Sequence, residues 1–160
     1  MKRVIYPGTF DPPTNGHLNV ISRAAKIFDS IEIVIAVNPE KKCVFTPQER
    51  FNMLKSLVKK HKNVNVHVWE GLVVNFAEKI NAKVILRGVR ALSDFDHEFE
   101  LSMMNKALNE NIETILLPTD KKYFVLRSSA IKEVAQFKGD ISKMVPKIVE
   151  DALKLKLQSP

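Results

Sequence analysis

Residues Val4–His17 read VIYPGTFDPPTNGH. The apolar start of this stretch predicts a β-strand, the glycines and prolines that follow predict a loop, and an amphipathic helix pattern begins near Asn15. Gly8 and Gly16 let the backbone come close to a ligand, and the start of a helix directs free amide donors and the positive end of its dipole toward that ligand. The stretch therefore predicts a site for phosphates.

The side chains of this loop distinguish a phosphate site from an ordinary turn. Glycine and proline are usual between a strand and a helix, and a histidine in a first helical turn is commonly a surface or capping residue. Here Thr9, Thr14, Asn15 and His17 place hydroxyl, amide and imidazole groups in one turn, which packing alone does not require. Neither the glycine-rich loop ending in Gly-Lys-Ser/Thr nor the Gly-x-Gly-x-x-Gly fingerprint occurs, so the loop is a different kind of phosphate site.

Five mostly apolar runs rich in β-branched residues predict strands, and helical patterns separate them. The strands are expected at Val4–Tyr6, Ile31–Val37, Val64–Val68, Val84–Leu86 and Thr114–Leu117. Continuous apolar strands that alternate with amphipathic helices are typical of a parallel sheet covered on both faces. We therefore predict one α/β domain over residues 1–160, a doubly wound five-stranded parallel sheet that binds ligands at the carboxyl ends of its strands.

Several helix ends are marked by their chemistry. Thr46 and Glu49 form a capping box, which predicts a helix from about Pro47 to Lys60. Ser93 or Asp94 is expected to cap a long helix that runs to about Asn109. Ser128 and Ser129 are expected to cap a helix that ends at Gly139 in the left-handed conformation. A final helix is expected to have Pro146 in its first turn.

Composition limits the class of protein. Hydrophobic content of 45% with 27% charged residues is typical of a globular chain, and no apolar run approaches the ~20 residues of a membrane span. The single cysteine, Cys43, cannot form an internal disulfide, and no apolar signal region precedes the first strand. We therefore expect a cytoplasmic protein without a membrane partner. The scattered histidines predict no metal site in the protein.

The net charge of +7 raises nucleic acid as a possible partner. The lysines, however, lie on helical patterns with acidic neighbours, and aromatic residues do not alternate with them as base-stacking platforms would. We therefore expect no nucleic-acid partner, and we predict that the basic residues serve phosphorylated small molecules.

A polar cluster follows each predicted strand. The clusters are residues 9–17, 41–42, 71–75, 87–90 and 123–129. Because the carboxyl ends of parallel strands share one edge of a sheet, we expect these five loops to line a single pocket.

Three segments resemble a known family. Thr14–His17 resembles the T/H-x-G-H motif of the nucleotidyltransferase superfamily, and the longer run from Tyr6 resembles the phosphopantetheine adenylyltransferase family. Leu86–Glu98, LRGVRALSDFDHE, is similar to that family's R-G-[LV]-R-x-x-x-D-[FY]-E-x-E signature, and Leu126–Glu133 is similar to its serine-rich segment. The resemblance covers essentially the whole chain and implies a Rossmann-like nucleotidyltransferase fold.

The family's reaction transfers the adenylyl group of ATP to 4′-phosphopantetheine and gives dephospho-coenzyme A and pyrophosphate. The resemblance implies ATP and 4′-phosphopantetheine as partners, Mg²⁺ arriving with ATP, a homohexamer, and inhibition by coenzyme A. A phosphomonoester acceptor is already largely dianionic near neutral pH, so no general base is required. Catalysis can then come from positioning and from stabilisation of developing charge.

The resemblance also implies residue roles. His17 would contact the α-phosphate and stabilise the transition state, with Thr9 and Lys41 assisting. The acceptor would be bound by Thr9, Lys41, Arg87 and Val73, the last on the loop after the third strand. ATP would be bound by Thr9, Phe10, His17, Gly88, Val89, Arg90, Glu98, Tyr123, Phe124, Val125, Leu126, Arg127, Ser128 and Ser129.

Some alternatives remain open at this level. Arg87 and Arg90 could form structural salt bridges, and residues 123–126 could belong to the apolar core rather than enclose adenine. Arg127 stands where the family usually has a further Ser or Thr, and Asp96 and His97 stand where Glu and an aromatic residue are more usual. The rival functions are another small nucleotidyltransferase, which acts on nicotinate mononucleotide or uses CTP on an alcohol phosphate, and a non-catalytic nucleotide or RNA binder.

Overall fold

The computed structural model describes residues 2–123 and 127–158, which form a parallel sheet with helices on both faces. The strands are β1 Arg3–Gly8, β2 Ser30–Val37, β3 Val64–Glu70, β4 Val84–Val89 and β5 Glu113–Pro118. The helices are α1 Asn15–Ala24, α2 Pro47–Val58, α3 Val73–Lys79, α4 Leu92–Leu108, α5 Ser128–Gln136 and α6 Lys147–Gln158, with a short 3₁₀ helix at Lys121–Tyr123. The strand order β3-β2-β1-β4-β5 confirms the predicted doubly wound α/β class.

The two central strands separate toward their carboxyl ends. β1 pairs with β2 along its whole length, whereas it pairs with β4 only at Val4–Val84 and Ile5–Ile85. The chain order reverses between β1 and β4, because β2 lies on one side of β1 and β4 on the other. Ligands of open α/β sheets bind in the crevice at such a reversal. The fold therefore directs attention to the segments that follow β1 and β4.

The core lies on both faces of the sheet. Successive side chains of a strand point to opposite faces, so Ile33 packs in the cluster that contains Leu54 of α2, while Val34 packs in the cluster that contains Phe76 of α3. A third cluster around Ile131 joins α5 and α6 to the end of α2. In the part of the chain that the structure describes, no helix has the length and hydropathy needed to cross a membrane.

The capping box of α2 is confirmed. The Glu49 amide donates to the Thr46 hydroxyl at 3.2 Å, and the Thr46 amide donates to the Glu49 carboxylate at 2.7 Å. Pro47 stands at the first helical position, where no amide donor is needed.

The predicted cap of α4 is wrong. The cap position is Ala91, two or three residues before the candidates Ser93 and Asp94, and no side chain caps the helix. Asp94 instead lies in the first turn, where its carboxylate accepts a 3.2 Å hydrogen bond from the Arg90 amide. A carboxylate in the first turn still interacts favourably with the helix dipole.

The predicted caps of α5 are also wrong. Arg127 occupies the cap position, its side chain does not cap the helix, and the helix begins at Ser128. The Ser128 hydroxyl donates to the Pro12 carbonyl at 3.2 Å, which ties α5 to the loop after β1. Ser129 lies within the first turn.

The end of α5 differs from the prediction by one residue. Lys138, not Gly139, has the left-handed conformation, with a φ of 61°. The amides of Lys138 and Gly139 donate to the carbonyls of Ala135 and Val134, which is a Schellman motif. Glycine is needed at position 139 because there is no room for a side chain, not because of a left-handed backbone: a Cβ there would lie 2.6 Å from Cγ1 of Val134.

Candidate active site

A pocket of about 430 Å³ opens where β1 and β4 separate. Its walls are the loop after β1, the start of α1, the end of β4, the first two turns of α4 and the start of α5. Most residues expected to bind substrates line it: Thr9, Phe10, His17, Lys41, Arg87, Gly88, Arg90, Glu98, Arg127, Ser128 and Ser129. The three motif segments found in the sequence therefore meet at one place.

Other expected site residues lie outside the lining of this pocket. Val73 is the first residue of α3 rather than part of a loop, Val89 is buried in the sheet, and Tyr123 packs against the cluster formed by α5 and α6. Phe124, Val125 and Leu126 lie outside the described residues. The segment after β3 contributes nothing to the lining, so the prediction that all five loops share one pocket is wrong. β3 is an edge strand, and two strands, β2 and β1, separate it from β4.

Sequence reasoning missed several lining residues. They include Tyr6, Pro7, Asp11, Val20, Asp94, Thr119 and Lys132. Lys132 could have been found, because it lies one helical turn after Ser128 and therefore on the same face of α5. Asp11 carries no comparable signal, since its partners are far from it in sequence.

His17 is held by a capping box at the start of α1. The Thr14 amide donates to Nδ1 of His17 at 3.0 Å, and the His17 amide donates to the Thr14 hydroxyl at 3.3 Å. A backbone amide is always a donor, so Nδ1 is an acceptor and carries no proton. The neutral ring therefore has its proton on Nε2, and Nε2 has no hydrogen-bond partner among the described residues. Nε2–H is thus available to a ligand.

The imidazole of His17 is neutral near neutral pH. Burial, together with the smaller effect of the positive charges of Arg90 and Arg87, lowers the pKa of His17 from 6.5 to about 3. The ring therefore acts as a neutral hydrogen-bond donor, and the pocket's positive charge comes from other side chains.

Phe10 packs the turn between the strand and the helix. It has a positive φ of 50° and is 2% exposed. Its ring makes edge contacts with the rings of Tyr6 and His17, at centroid distances of 5.5 and 5.0 Å. Gly8 permits this packing, since a Cβ there would lie 3.0 Å from the Phe10 ring. The aromatic contacts fix both the turn and the plane of the His17 imidazole.

Lys41 and Thr9 lie together at one side of the pocket. Nζ of Lys41 donates to the Thr9 hydroxyl at 3.3 Å. The two residues come from loops after neighbouring strands, so the parallel sheet brings them together as expected. An ammonium group and a hydroxyl at this distance can both donate to one phosphate group.

Arg87 is held by a two-pronged ion pair. Its Nη2 donates to Oε1 of Glu98 at 2.7 Å, its Nε donates to Oε2, and its Nη1 donates to the Pro7 carbonyl at 2.9 Å. The guanidinium therefore spans the gap between the ends of β4 and β1. Bidentate pairs of this kind combine strength with a fixed orientation.

A second carboxylate, Asp94, lies between two arginines. Nε of Arg90 donates to Oδ2 of Asp94 at 2.9 Å, and Nη2 of Arg127 lies 3.5 Å from Oδ1. The salt bridges that were the alternative explanation for Arg87 and Arg90 are therefore present, although both arginines also line the pocket. Arg127, in place of a hydroxyl residue, joins the start of α5 to the first turn of α4.

Asp11 connects three segments beneath the pocket. The carboxylate is 3% exposed, accepts from the amides of Val44 and Phe45 at 3.0 and 2.9 Å, and pairs with Lys132 at 2.9 Å. Burial alone would raise the pKa of Asp11, but the hydrogen bonds from Lys132, Phe45 and Val44 outweigh it and lower the pKa. Asp11 therefore stays ionised and fixes the loop that bears Lys41.

The charges of the pocket favour an anionic ligand. Lys41, Arg87, Arg90, Arg127 and Lys132 line it, against the carboxylates of Asp11, Asp94 and Glu98. Each of the three carboxylates is already paired with a cation. Among residues 2–123 and 127–158, no group of three or more His, Cys, Asp or Glu side chains could hold a metal ion.

The chain is similar to proteins that are already known. Residues 5–134 match the cytidylyltransferase-like family. The chain is 45% identical to a phosphopantetheine adenylyltransferase of Clostridium botulinum over 98% of this chain and 96% of the relative, and 48% identical to one of Desulfosudis oleivorans over 98% and 94%. A crystal structure of a candidate nicotinate-nucleotide adenylyltransferase from Vibrio parahaemolyticus has the same fold, with a TM-score of 0.70, 20% identity, and coverage of 97% of this chain and 93% of that one.

Proposed function

The chain belongs to the phosphopantetheine adenylyltransferase family, and we propose that the pocket between β1 and β4 is where it transfers the adenylyl group of ATP to 4′-phosphopantetheine. The products are dephospho-coenzyme A and pyrophosphate. The observation that supports this location is that the loop after β1, the end of β4 and the start of α5, each of which bears a family motif, line the same pocket.

In the reaction an oxygen of the acceptor phosphate attacks the α-phosphorus of ATP, a new P–O bond forms, and the bond to the β-phosphate oxygen breaks. The protein's part is to align these groups and to stabilise the charge that accumulates on the α-phosphate oxygens. Nε2–H of His17 is the donor that we assign to those oxygens. Because the ring is neutral, it can donate a directed hydrogen bond to the α-phosphate without being repelled by the cationic side chains of the pocket.

The two sides of the pocket serve different substrates. We assign the acceptor phosphate to Lys41 and Thr9, whose Nζ and hydroxyl lie 3.3 Å apart, and to Arg87, which lines the same pocket. The β- and γ-phosphates of ATP go to Arg90 and to the first turn of α5 with Ser128, Ser129 and Arg127, where free amides favour anions. Phe10, Gly88, Val89, Glu98 and residues 123–126 are the remaining proposed contacts to ATP, and Val73 is the proposed contact to the pantetheine arm.

Mg²⁺ enters this scheme as part of the nucleotide substrate. The carboxylates of the pocket are occupied by Arg87, Arg90 and Lys132, which is the arrangement expected if the polyphosphate supplies the ligands of the ion. When bound, Mg²⁺ neutralises charge on the phosphates.

A homohexamer is the assembly we propose, and α4 offers a surface for it. Exposed apolar side chains run along this helix: Leu92, Phe95, Phe99, Met103, Met104 and Leu108. An apolar stripe of this length on a monomer usually marks an interface. Sedimentation of the protein and of Phe99→Asp tests this, and we expect the variant to sediment as smaller species; an unchanged hexamer would remove α4 from the interface.

Two further properties are proposed. Coenzyme A is a larger relative of the product, so it can occupy the product site, and we expect inhibition that excess substrate relieves. We propose the cytoplasm as the compartment, since the one cysteine, Cys43, needs no oxidising environment.

The proposed function is tested by measuring pyrophosphate release with a panel of substrates. We expect turnover with ATP and 4′-phosphopantetheine, and at least a hundredfold lower kcat/KM with nicotinate mononucleotide as acceptor or CTP as donor. Preference for either alternative, or no turnover with 4′-phosphopantetheine, would contradict the assignment. RNA binding that falls steeply with salt, without turnover, would point to a binding module instead.

A further inference from the structure

Arg50 of α2 is a buried cation outside the lining of the pocket. It is 2% exposed, and it has no carboxylate partner among the described residues. Its guanidinium donates to two backbone carbonyls, from Nη1 to Thr9 at 2.8 Å and from Nε to Thr46 at 3.3 Å. A charge that is buried without a counter-ion is costly. The position therefore calls for a compensating negative charge nearby.

The peptide unit between Thr9 and Phe10 connects Arg50 to the pocket. In a planar trans peptide, the C=O and N–H bonds point in opposite directions. Because Arg50 binds the carbonyl oxygen of Thr9, the N–H of Phe10 in the same peptide points away from Arg50. Phe10 lines the pocket, and its N–H donates to no acceptor in the described part of the chain. Buried amides without an acceptor are rare, so a ligand is the expected acceptor.

The backbone conformation of Phe10 indicates that neighbouring residues hold this peptide in place. A φ of 50° is uncommon for a bulky residue and persists only where the surroundings hold it. The rings of Tyr6 and His17 hold the Phe10 side chain from one side. Arg50 holds the carbonyl of Thr9, the residue before Phe10.

We propose that Arg50 is a positioning residue for adenylyl transfer, which holds and polarises the Thr9–Phe10 peptide so that the Phe10 N–H donates to a phosphate of the nucleotide. A charged donor on the carbonyl makes the N–H of the same peptide a stronger donor. The bound polyphosphate in turn supplies the negative charge that Arg50 lacks in the free protein. This inference rests on the function proposed above.

Three variants test the role of Arg50. Arg50→Met removes both the charge and the donors, and Arg50→Lys keeps the charge but cannot reach two carbonyls with a planar fork. Arg3→Met is the control for loss of an arginine that donates to a backbone carbonyl, because Arg3 donates to the Ile80 carbonyl at the amino-terminal end of β1. Arg3 is more exposed than Arg50 and lies 3.7 Å from Glu32. Thermal unfolding first establishes which variants are folded.

The first readout is steady-state kinetics. We expect kcat/KM for ATP to fall about 10- to 100-fold in Arg50→Met and by a smaller factor in Arg50→Lys, while Arg3→Met stays within about twofold of wild type. Wild-type kinetics in folded Arg50→Met, or an equal loss in Arg3→Met, would overturn the proposal.

The second readout needs no turnover. Inorganic pyrophosphate is titrated into ¹⁵N-labelled protein, and we expect the Phe10 amide proton to move downfield in wild type and in Arg3→Met, but by less than half as much in Arg50→Met. An equal movement in Arg50→Met would overturn the proposal. If Arg50→Met does not fold, Arg50→Lys decides by both readouts, and values equal to wild type would count against the role.

These readouts separate the two claims. A wild-type protein that does not turn over 4′-phosphopantetheine, but whose Phe10 amide responds to pyrophosphate through Arg50, would refute the proposed function and leave the role of Arg50 in place. Normal turnover with an Arg50-independent amide shift would refute only the role of Arg50.

Discussion

The backbone amide of Thr14 donates a 3.0 Å hydrogen bond to Nδ1 of His17. This contact completes a capping box in which His17 occupies the third helical position, which is usually taken by Glu or Gln. The same contact that starts α1 therefore sets the tautomer and orientation of the ring in the pocket. Helix capping and the chemistry of the site share one hydrogen bond.

This relationship predicts the protonation state of His17. Between pH 6 and pH 8 the ring should be neutral, with Nε2 protonated and Nδ1 free, because Nδ1 accepts from Thr14 and burial lowers the pKa to about 3. Long-range ¹H–¹⁵N NMR spectra of the imidazole groups measure this directly, with His17→Gln identifying the signals. A ring that titrates near pH 6.5, or one protonated on Nδ1, would contradict the prediction.

The same pKa predicts a loss of stability in mild acid. The unfolded chain protonates His17 as the pH falls through about 6.5, whereas the folded protein does not until about 3, so the unfolded state binds more protons in between. Between pH 7.5 and pH 5 this group should lower the free energy of unfolding by about 2 kcal/mol. Urea unfolding of wild type and His17→Gln at both pH values checks it. Parallel losses in the two proteins would show that His17 makes no such contribution.

Asp11 should be important for stability. Asp11→Asn leaves Lys132 without its partner and places an amide donor among the amides of Val44 and Phe45. Breaking a buried pair in this way costs about 3 kcal/mol, measurable as a change in the free energy of unfolding. Asp151→Asn is the control, because the exposed Lys147–Asp151 pair should contribute less than about 1 kcal/mol. Equal, small effects of both substitutions would contradict this role.

The end of α5 gives a pair of opposite predictions. Lys138→Gly should stabilise the protein by about 1 kcal/mol, because glycine adopts a φ of 61° without strain. Gly139→Ala should destabilise it by about 1 to 3 kcal/mol, because the new Cβ would meet Val134 at 2.6 Å. Thermal unfolding of the two variants tests both signs, and a stabilising Gly139→Ala would show that Val134 moves aside freely.

The sequence was sufficient for those features that depend on local chemistry or on periodicity. The apolar runs located every strand, and Thr46 with Glu49 located the start of α2. The start of α1 near Asn15 was also correct. From these elements and the rules of parallel sheets, the edge of the sheet that bears the pocket follows without coordinates.

The features that were missed depend on contacts between distant segments. Ser128 is an obvious cap in sequence, yet its hydroxyl reaches Pro12, 116 residues away along the chain. Arg50 reads as an exposed helix residue until the fold places Thr9 beside it. The contribution of the segment after β3 was overestimated because strand order, which puts β3 at an edge, is not encoded in the local pattern.

We assign to His17 the stabilisation of the transition state of adenylyl transfer in the pocket between β1 and β4. The most direct measurement is the single-turnover rate of His17→Ala with ATP and 4′-phosphopantetheine, together with the Kd of each substrate. We predict a rate at least about 100-fold below wild type with Kd values within about threefold, because the interaction strengthens only in the transition state. A rate within about threefold of wild type in the folded variant would show that His17 does not stabilise the transition state.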